Sequence, residues 1–318
     1  MLIHAIGKAP VDDLLAQVVE LYEAKFAGRV RGYYLTGSYA EGDAVEGSDI
    51  DLYILFKGAF ISEEETAQAQ QTVFDCAHLS PIRLDITGGS EQTHETLRGY
   101  VRVAIKRHSI LLYGEDSRES MSLPGREEYT RDATDAALEF LLRQRETDVI
   151  TYPLDYPDPQ GAFFGYDQPQ QLGRDLTNGR QGIRLLVECA CRIASALLAL
   201  KTGSYGSTKR ESVQTYRSEI NDEFADLLGN MLEKGKLQWG YYLPERQEER
   251  AELRALCERM LSFENHYLLY YRIYLLSMLR SGDGEAKRFA LQRLTQKVHY
   301  TDDEVVTAMQ AFENRESG

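Results

Sequence analysis

The sequence predicts an α+β chain: a small mixed-sheet domain over residues 1–120, followed by an all-α helical bundle over 121–318. Two observations carry this expectation. From residue 11 to residue 113, helix-spaced apolar runs alternate with short strand-like runs, as in a compact layer of helices on a sheet. Beyond residue 130 the apolar residues recur mainly at helical spacing, the pattern of a bundle. With 318 residues, 43% of them hydrophobic, the chain can bury a sizeable core in one or two domains.

Each element has its own signal. Leu14, Leu15, Val18, Val19, Leu21, Tyr22 and Phe26 place a helix over 11–27. Val30 to Leu35 reads as a strand that ends in a Thr36-Gly37-Ser38 turn, and Asp49 to Phe56 reads as a second strand. Ser62 with Glu65 three residues on is a capping-box pattern for a helix reaching about Ala77. A third strand is expected over 81–87, broken by Gly88-Gly89, then a helix over 93–107 and a strand over 109–113. In the second half, Ala133, Ala137, Phe140 and Leu141 place a helix at 131–149. Four prolines and four glycines make 151–179 a long loop. Helices follow at 180–201, 208–235, 245–280, 285–298 and 302–314, the last with Thr301 and Glu304 as a capping box.

Charge and cysteine usage narrow the function classes. The formal net charge is −14, whereas phosphate-backbone binders need clustered Lys and Arg, so a nucleic-acid partner is not expected. An acidic surface suits the approach of a cationic small molecule. Cys76, Cys189, Cys191 and Cys257 form no Cys-x-x-Cys pair and read as buried free thiols. No apolar run reaches membrane-span length and the N-terminus lacks a signal-peptide pattern, so a cytoplasmic protein without membrane contact is expected.

The most informative stretch is 36–56. Asp49 and Asp51 sit on alternate positions of an apolar run, so a strand would aim both carboxylates to one face while Ile50, Leu52, Ile54 and Leu55 are buried. Upstream, the Gly37-Ser38 turn offers backbone N–H groups and a hydroxyl. Paired carboxylates beside such a turn suit a divalent cation carrying a polyphosphate. Asp85, inside Arg83-Leu84-Asp85-Ile86, is a charge in an apolar strand, as a metal ligand or a general base would be. Glu41, Asp43 and Glu46 read as solvated loop carboxylates, and Asp75 as a structural helix residue.

Gly37-Ser38, a spacer and Ser48-Asp49-Ile50-Asp51 resemble the signature of the nucleotidyltransferase superfamily whose core is like that of DNA polymerase beta, and Asp85 matches its third carboxylate. The resemblance implies that Asp49 and Asp51 bind magnesium, that Asp85 is a metal ligand or general base, and that Gly37, Ser38 and Ser48 lie at the nucleotide phosphate. Two Mg2+ ions and ATP as substrate are implied with them. Within the superfamily, 188–203, ending in Thr202-Gly203, and 204–213 resemble aminoglycoside adenylyltransferases of the streptomycin/spectinomycin type. There Lys209, with Arg210 behind it, would serve the triphosphate.

The resemblance implies transfer of AMP from ATP to a hydroxyl of a small molecule, aminoglycoside-like antibiotics included. For a polycationic acceptor, Asp155, Asp158, Asp167, Glu188, Phe163, Phe164, Tyr166 and the Trp239 segment are the recognition candidates, although an aromatic run such as the last commonly packs between helices. Two other readings stand beside it: AMP transfer onto a protein or tRNA, as in toxin-neutralising nucleotidyltransferases, and a non-catalytic nucleotide-binding regulator. Keeping all three carboxylates speaks against the last.

Overall fold

The computed structural model describes residues 2–46, 48–79, 82–172 and 175–316, with 170–172, 175–180 and 312–316 described by their backbone alone. The chain falls into two compact units, Met1–Tyr129 with Pro169–Arg180, and Thr130–Gln168 with Gln181–Gly318. Sequence reasoning drew its boundary at 120/121 and did not assign 169–180 to the first unit.

The first unit is built on a four-stranded sheet of β1 (Val30–Thr36), β2 (Ile50–Phe56), β3 (Leu84–Ser90) and β4 (Ile110–Gly114), in the order β3-β2-β1-β4. Strand β1 runs antiparallel to β2 and β4, while β2 and β3 run parallel, so the sheet is mixed as expected. Alternation along β2 sorts its residues. Ile50, Leu52, Ile54 and Phe56 join a core with Leu14, Leu15, Val18 and Tyr22 of α1 (Ala9–Lys25). Tyr53 and Leu55 face the other way, into a smaller core with Tyr34, Ile105, Leu111 and Met121. Asp49 and Asp51 continue that second face toward the start of the strand.

Also in this unit are α2 (Gly37–Glu41), α3 (Glu63–Ala77) and α4 (Gly99–His108). Ser62 caps α3 by accepting from the Glu65 N–H at 3.1 Å. The Glu65 carboxylate does not return to Ser62 as a capping box would have it. It accepts from the Ile61 N–H at 2.7 Å and pairs with Arg29 at 2.8 Å. Strand β3 does not stop at Gly88-Gly89 but runs on to Ser90, in register with Phe56. Gly89 allows this, because a Cβ there would come 2.8 Å from the Tyr53 hydroxyl. The helix expected over 93–107 is split: a 3-10 turn at His94–Thr96 precedes α4.

In the second unit, helices dominate: α5 (Arg126–Gln144, whose first turn belongs to the first unit), α6 (Arg184–Lys201), α7 (Lys209–Glu219), α8 (Ala225–Asn230), α9 (Gln247–Ser281), α10 (Gly284–Gln296) and α11 (Asp303–Glu316), with a π-helical stretch at Met231–Gln238. The bundle carries in addition a short parallel pair of β5 (Ile150–Tyr152) and β8 (Val298–Tyr300). The long loop is bounded by structure: β5 opens it, and β6 (Gln168–Leu172) with β7 (Asp175–Gly182) forms a two-stranded sheet at its end, of which Pro169–Arg180 belongs to the first unit. For α11 the cap is Asp302, which accepts from the Val305 N–H at 3.2 Å. Glu304 pairs instead with Arg272 and Arg280, each at 2.6 Å.

The irregular stretch 153–167 is fastened to α9 by polar groups. Arg145 donates to Glu264 at 2.6 Å and to the Asp155 carbonyl at 3.1 Å, and the Tyr166 hydroxyl donates to the same Glu264 oxygen at 2.8 Å. Asn265 clamps the Leu154 backbone, accepting from its N–H at 2.7 Å and donating to its carbonyl at 3.1 Å. Glu264 is fully buried at 0% exposure, so its charge depends on Arg145 and Tyr166. Removing one partner of such a pair leaves an uncompensated buried charge, which costs about 3–5 kcal/mol. Arg145→Ala should therefore lower the stability of the second unit by about that amount in urea denaturation, whereas Arg246→Ala, at an exposed pair with Glu249, should change it by less than about 1 kcal/mol.

Candidate active site

The site begins where β1 ends. Thr36, its last residue, is the register partner of Asp51 on β2, and Asp51 is in turn the register partner of Asp85 on β3. Asp49 lies two residues upstream of Asp51 on the same face. Sheet register thus sets Asp51 beside Asp85, and the loop that leads into β2 brings Asp49 to the same face. Their ligand oxygens all lie within 4.8 Å of one another; Asp49 and Asp51 are half-buried and Asp85 is exposed. Three anions this close repel by an energy on the order of a few kcal/mol per pair at an effective dielectric of about 20. A divalent cation with oxygen ligands removes that repulsion, and an all-carboxylate set suits a hard ion such as magnesium.

Gly37 makes room for this arrangement. It has φ +66°, in the left-handed region, and a Cβ on it would lie 3.0 Å from Asp51 Cγ and closer still to Oδ2. The expected Gly37-Ser38 turn is the first turn of α2, closed by Gly42 at φ +74° and by the Asp43 N–H donating to the Ser38 carbonyl at 3.0 Å. Ser48 is buried and accepts from the Val45 N–H at 3.0 Å. That bond shapes the loop leading into Asp49 and leaves the hydroxyl proton free to donate. Asp43, read as a solvated carboxylate, is instead buried at 8% exposure. The tight α2–β2 loop folds it inward, while Gly42 and Glu46 near it are exposed. Tyr39 on α2 is half-buried, and its phenol is pushed up first by burial and then by the nearby Asp49 charge.

Lys209 and Arg210 lie in the second unit, in the first turn of α7, where Thr208 accepts from the Glu211 N–H at 3.1 Å. Lys209 pairs with Glu188 on α6 at 3.4 Å, and Arg184 binds the same Glu188 oxygen at 3.0 Å. Burial favours a neutral Glu188, but Lys209 and then Arg184 outweigh it and hold the carboxyl down at about 2. For Lys209, too, burial opposes the charge, yet Tyr241 and Glu188 raise its pKa above the ordinary lysine value. Glu188, nominated from the sequence for a cationic acceptor, is thus already neutralised. Phe163, Phe164 and Tyr166 are buried. Arg250 covers Phe163 at 4.8 Å from the ring centroid, and Arg254 covers Phe164 at 4.0 Å. Trp239 is buried at 8% exposure. All four cysteines are free and buried, as expected. No helix among the described residues is long and apolar enough to cross a membrane.

Residues 15–108, which contain the whole carboxylate group, match the family model of the nucleotidyltransferase domain. The first unit carries a nucleotidyltransferase domain. Nucleotidyl transfer is accordingly the chemistry of this unit, and the chain is a transferase. No curated protein sequence matches the chain. Among solved structures, the spectinomycin adenyltransferase AAD(9) from Enterococcus faecialis, solved with ATP and spectinomycin, is similar over 79% of this chain and 98% of its own, at 11% identity and a TM-score of 0.45. Arg83, Tyr39 and Arg184 carry no expected role from the sequence. For Arg83 the signal was present, two positions before Asp85 on the same strand face. The others reach their places through helix packing, which spacing does not reveal.

Two outcomes follow from this geometry. Gly37→Ala should cost about 1–3 kcal/mol of backbone strain and displace Asp51, so calorimetric titration with Mg2+ should show weakened binding together with a lowered melting temperature. Glu188 has a folded-state pKa below its ordinary 4.5, so its contribution to stability is present above pH 4.5 and is lost as pH falls toward about 2. Across that window Glu188→Gln should lose less stability than the wild-type protein, as measured by chemical denaturation at each pH.

Proposed function

We propose that this chain transfers AMP from ATP to a hydroxyl of a small molecule, with magnesium held by Asp49, Asp51 and Asp85. The observation that carries the reading is the trio of carboxylates brought together by register within a nucleotidyltransferase domain. Two Mg2+ ions shared by these carboxylates would supply neutralisation of the triphosphate and of the attacking oxygen. The rest falls to positioning by the chain itself. Gly37 and Ser38 present backbone N–H groups and a hydroxyl to phosphate oxygens, and Ser48 holds the entry to Asp49 in shape. Asp85, exposed at the sheet edge, accepts the proton of the acceptor hydroxyl. The acceptor oxygen then bonds to the α-phosphorus as the bond to pyrophosphate breaks. Adenine as the base, and Lys209 with Arg210 as further phosphate ligands, rest on the resemblance of segments 188–203 and 204–213.

Incubation with ATP labelled at the α-phosphate, Mg2+ and a panel of hydroxyl compounds tests the reading. Asp49→Asn should lower product formation at least about a hundredfold. Asp75→Asn should leave it within about twofold, because Asp75 is spent on Lys25 at 2.5 Å on α3. Equal loss in both variants, or full activity in EDTA, would remove the carboxylate trio from the reaction. Lys209→Ala should raise the KM for ATP more than it lowers kcat.

A further inference from the structure

We infer that Arg83 is an oxyanion ligand on the acceptor side of the site, so that the acceptor carries a phosphate or carboxylate near the hydroxyl that is modified. The inference rests on the nucleotidyl-transfer reading above and names the chemical class of its second substrate.

Arg83 sits on the catalytic face. The Ile50 N–H donates to the Arg83 carbonyl at 2.9 Å, which extends the β2–β3 pairing one residue before β3 begins. Exposure alternates along this edge: Arg83, Asp85 and Thr87 are exposed, while Leu84 and Ile86 pack on the main core. Arg83 and Asp85 therefore share a face, one pleat repeat apart.

Among the described residues no hydrogen bond or ion pair engages the Arg83 guanidinium. Four other arginines of the first unit are held by carboxylates: Arg29 by Glu65, Arg31 by Glu91, Arg102 by Glu128 and Arg118 by Asp116. In a chain of net charge −14, an unpaired arginine two residues from three clustered carboxylates needs a reason. No contact among the described residues gives one, since the side chain is exposed. For cation binding alone it is harmful, because it adds a like charge beside the ion. An anionic substrate reverses that sign, and a planar guanidinium binds phosphate or carboxylate through paired hydrogen bonds.

Sheet order selects the acceptor over the nucleotide as the source of the anion. Gly37 and Ser38 follow β1 on one side of β2, and Arg83 lies on β3 at the other side. With the polyphosphate tail at the Gly37-Ser38 end, the β3 side is left to the group that attacks. Three of the residues nominated for a polycationic acceptor are also taken up within the second unit: Glu188 by Arg184 and Lys209, Phe163 and Phe164 by Arg250 and Arg254.

The test is calorimetric binding of glucose 6-phosphate, glucuronate, glucose and spectinomycin, with and without Mg2+ and a non-hydrolysable ATP analogue. The wild-type protein should bind glucose 6-phosphate or glucuronate at least about tenfold more tightly than glucose or spectinomycin, and the better of the two tells phosphate from carboxylate. Arg83→Gln should lose about 10–100-fold for the anionic probes alone, a range set by the usual worth of charged hydrogen bonds. It should keep its melting temperature and its affinity for the analogue, and Arg83→Lys should recover part of the loss. Equal or undetectable binding of the charged and neutral sugars, or intact anion binding in Arg83→Gln, overturns the assignment. A loss confined to the analogue also overturns it, by making Arg83 a nucleotide ligand. Absence of analogue binding in the wild-type protein would count against nucleotidyl transfer, while the arm without analogue still measures Arg83.

Discussion

The parallel pairing of β2 with β3 is the constraint on which the rest of the first unit depends. It sets Asp51 opposite Asp85, while β1 on the other flank sets Thr36 opposite Asp51. A slip of one residue in either pairing would turn a carboxylate toward Leu14 and Leu15 of the main core, where a bare charge is far too costly. The apolar residues Ile50, Leu52 and Ile54 therefore fix the carboxylate geometry as firmly as the carboxylates' own surroundings do. The core enforces register, and register assembles the site.

The carboxylate trio of the first unit and the buried carboxylates of the second are compensated in different ways. In the first, the carboxylates gather at a sheet end with access to solvent, so their repulsion can be relieved by an ion arriving from outside. In the second, charge is compensated from within: Glu264 by Arg145 and Tyr166, Glu188 by Lys209 and Arg184. The first arrangement is suited to binding and the second to holding a shape. Stretch 153–167 illustrates the second. It lacks regular secondary structure, yet Arg145, Asn265 and Arg254 hold its backbone at several points.

Much of this was legible in the sequence. Asp49, Asp51 and Asp85 could be read because strand alternation is a strict period and charge in an apolar run is conspicuous. Most helix positions came through from their own 3.6-residue period, although the run expected at 208–235 is divided into α7, α8 and the π-helical stretch. What escaped depended on contacts between distant residues. Gly88-Gly89 looked like a break, because sequence does not show that Tyr53 lies over Gly89. Asp43 looked solvated, because the fold of the α2–β2 loop is not written in its composition. Phe163 and Phe164 looked like ligand-facing aromatics until Arg250 and Arg254, nearly ninety residues on, were found covering them. Arg83 was visible as a residue, but its meaning needed the knowledge that no hydrogen bond or ion pair among the described residues engages its guanidinium.

Strand β3 lies at the edge of its sheet. An open edge strand is a template on which a second chain can build, and proteins discourage this with charge. Arg83 and Asp85 put one charge of each sign on that edge, at the spot where the apolar residues Leu84 and Ile86 would otherwise invite pairing. The carboxylate face and the protection of this edge against edge-to-edge assembly are then the same few side chains. Selection for chemistry at this strand would also preserve solubility, and a chain that lost its chemistry here would lose part of its defence against self-association.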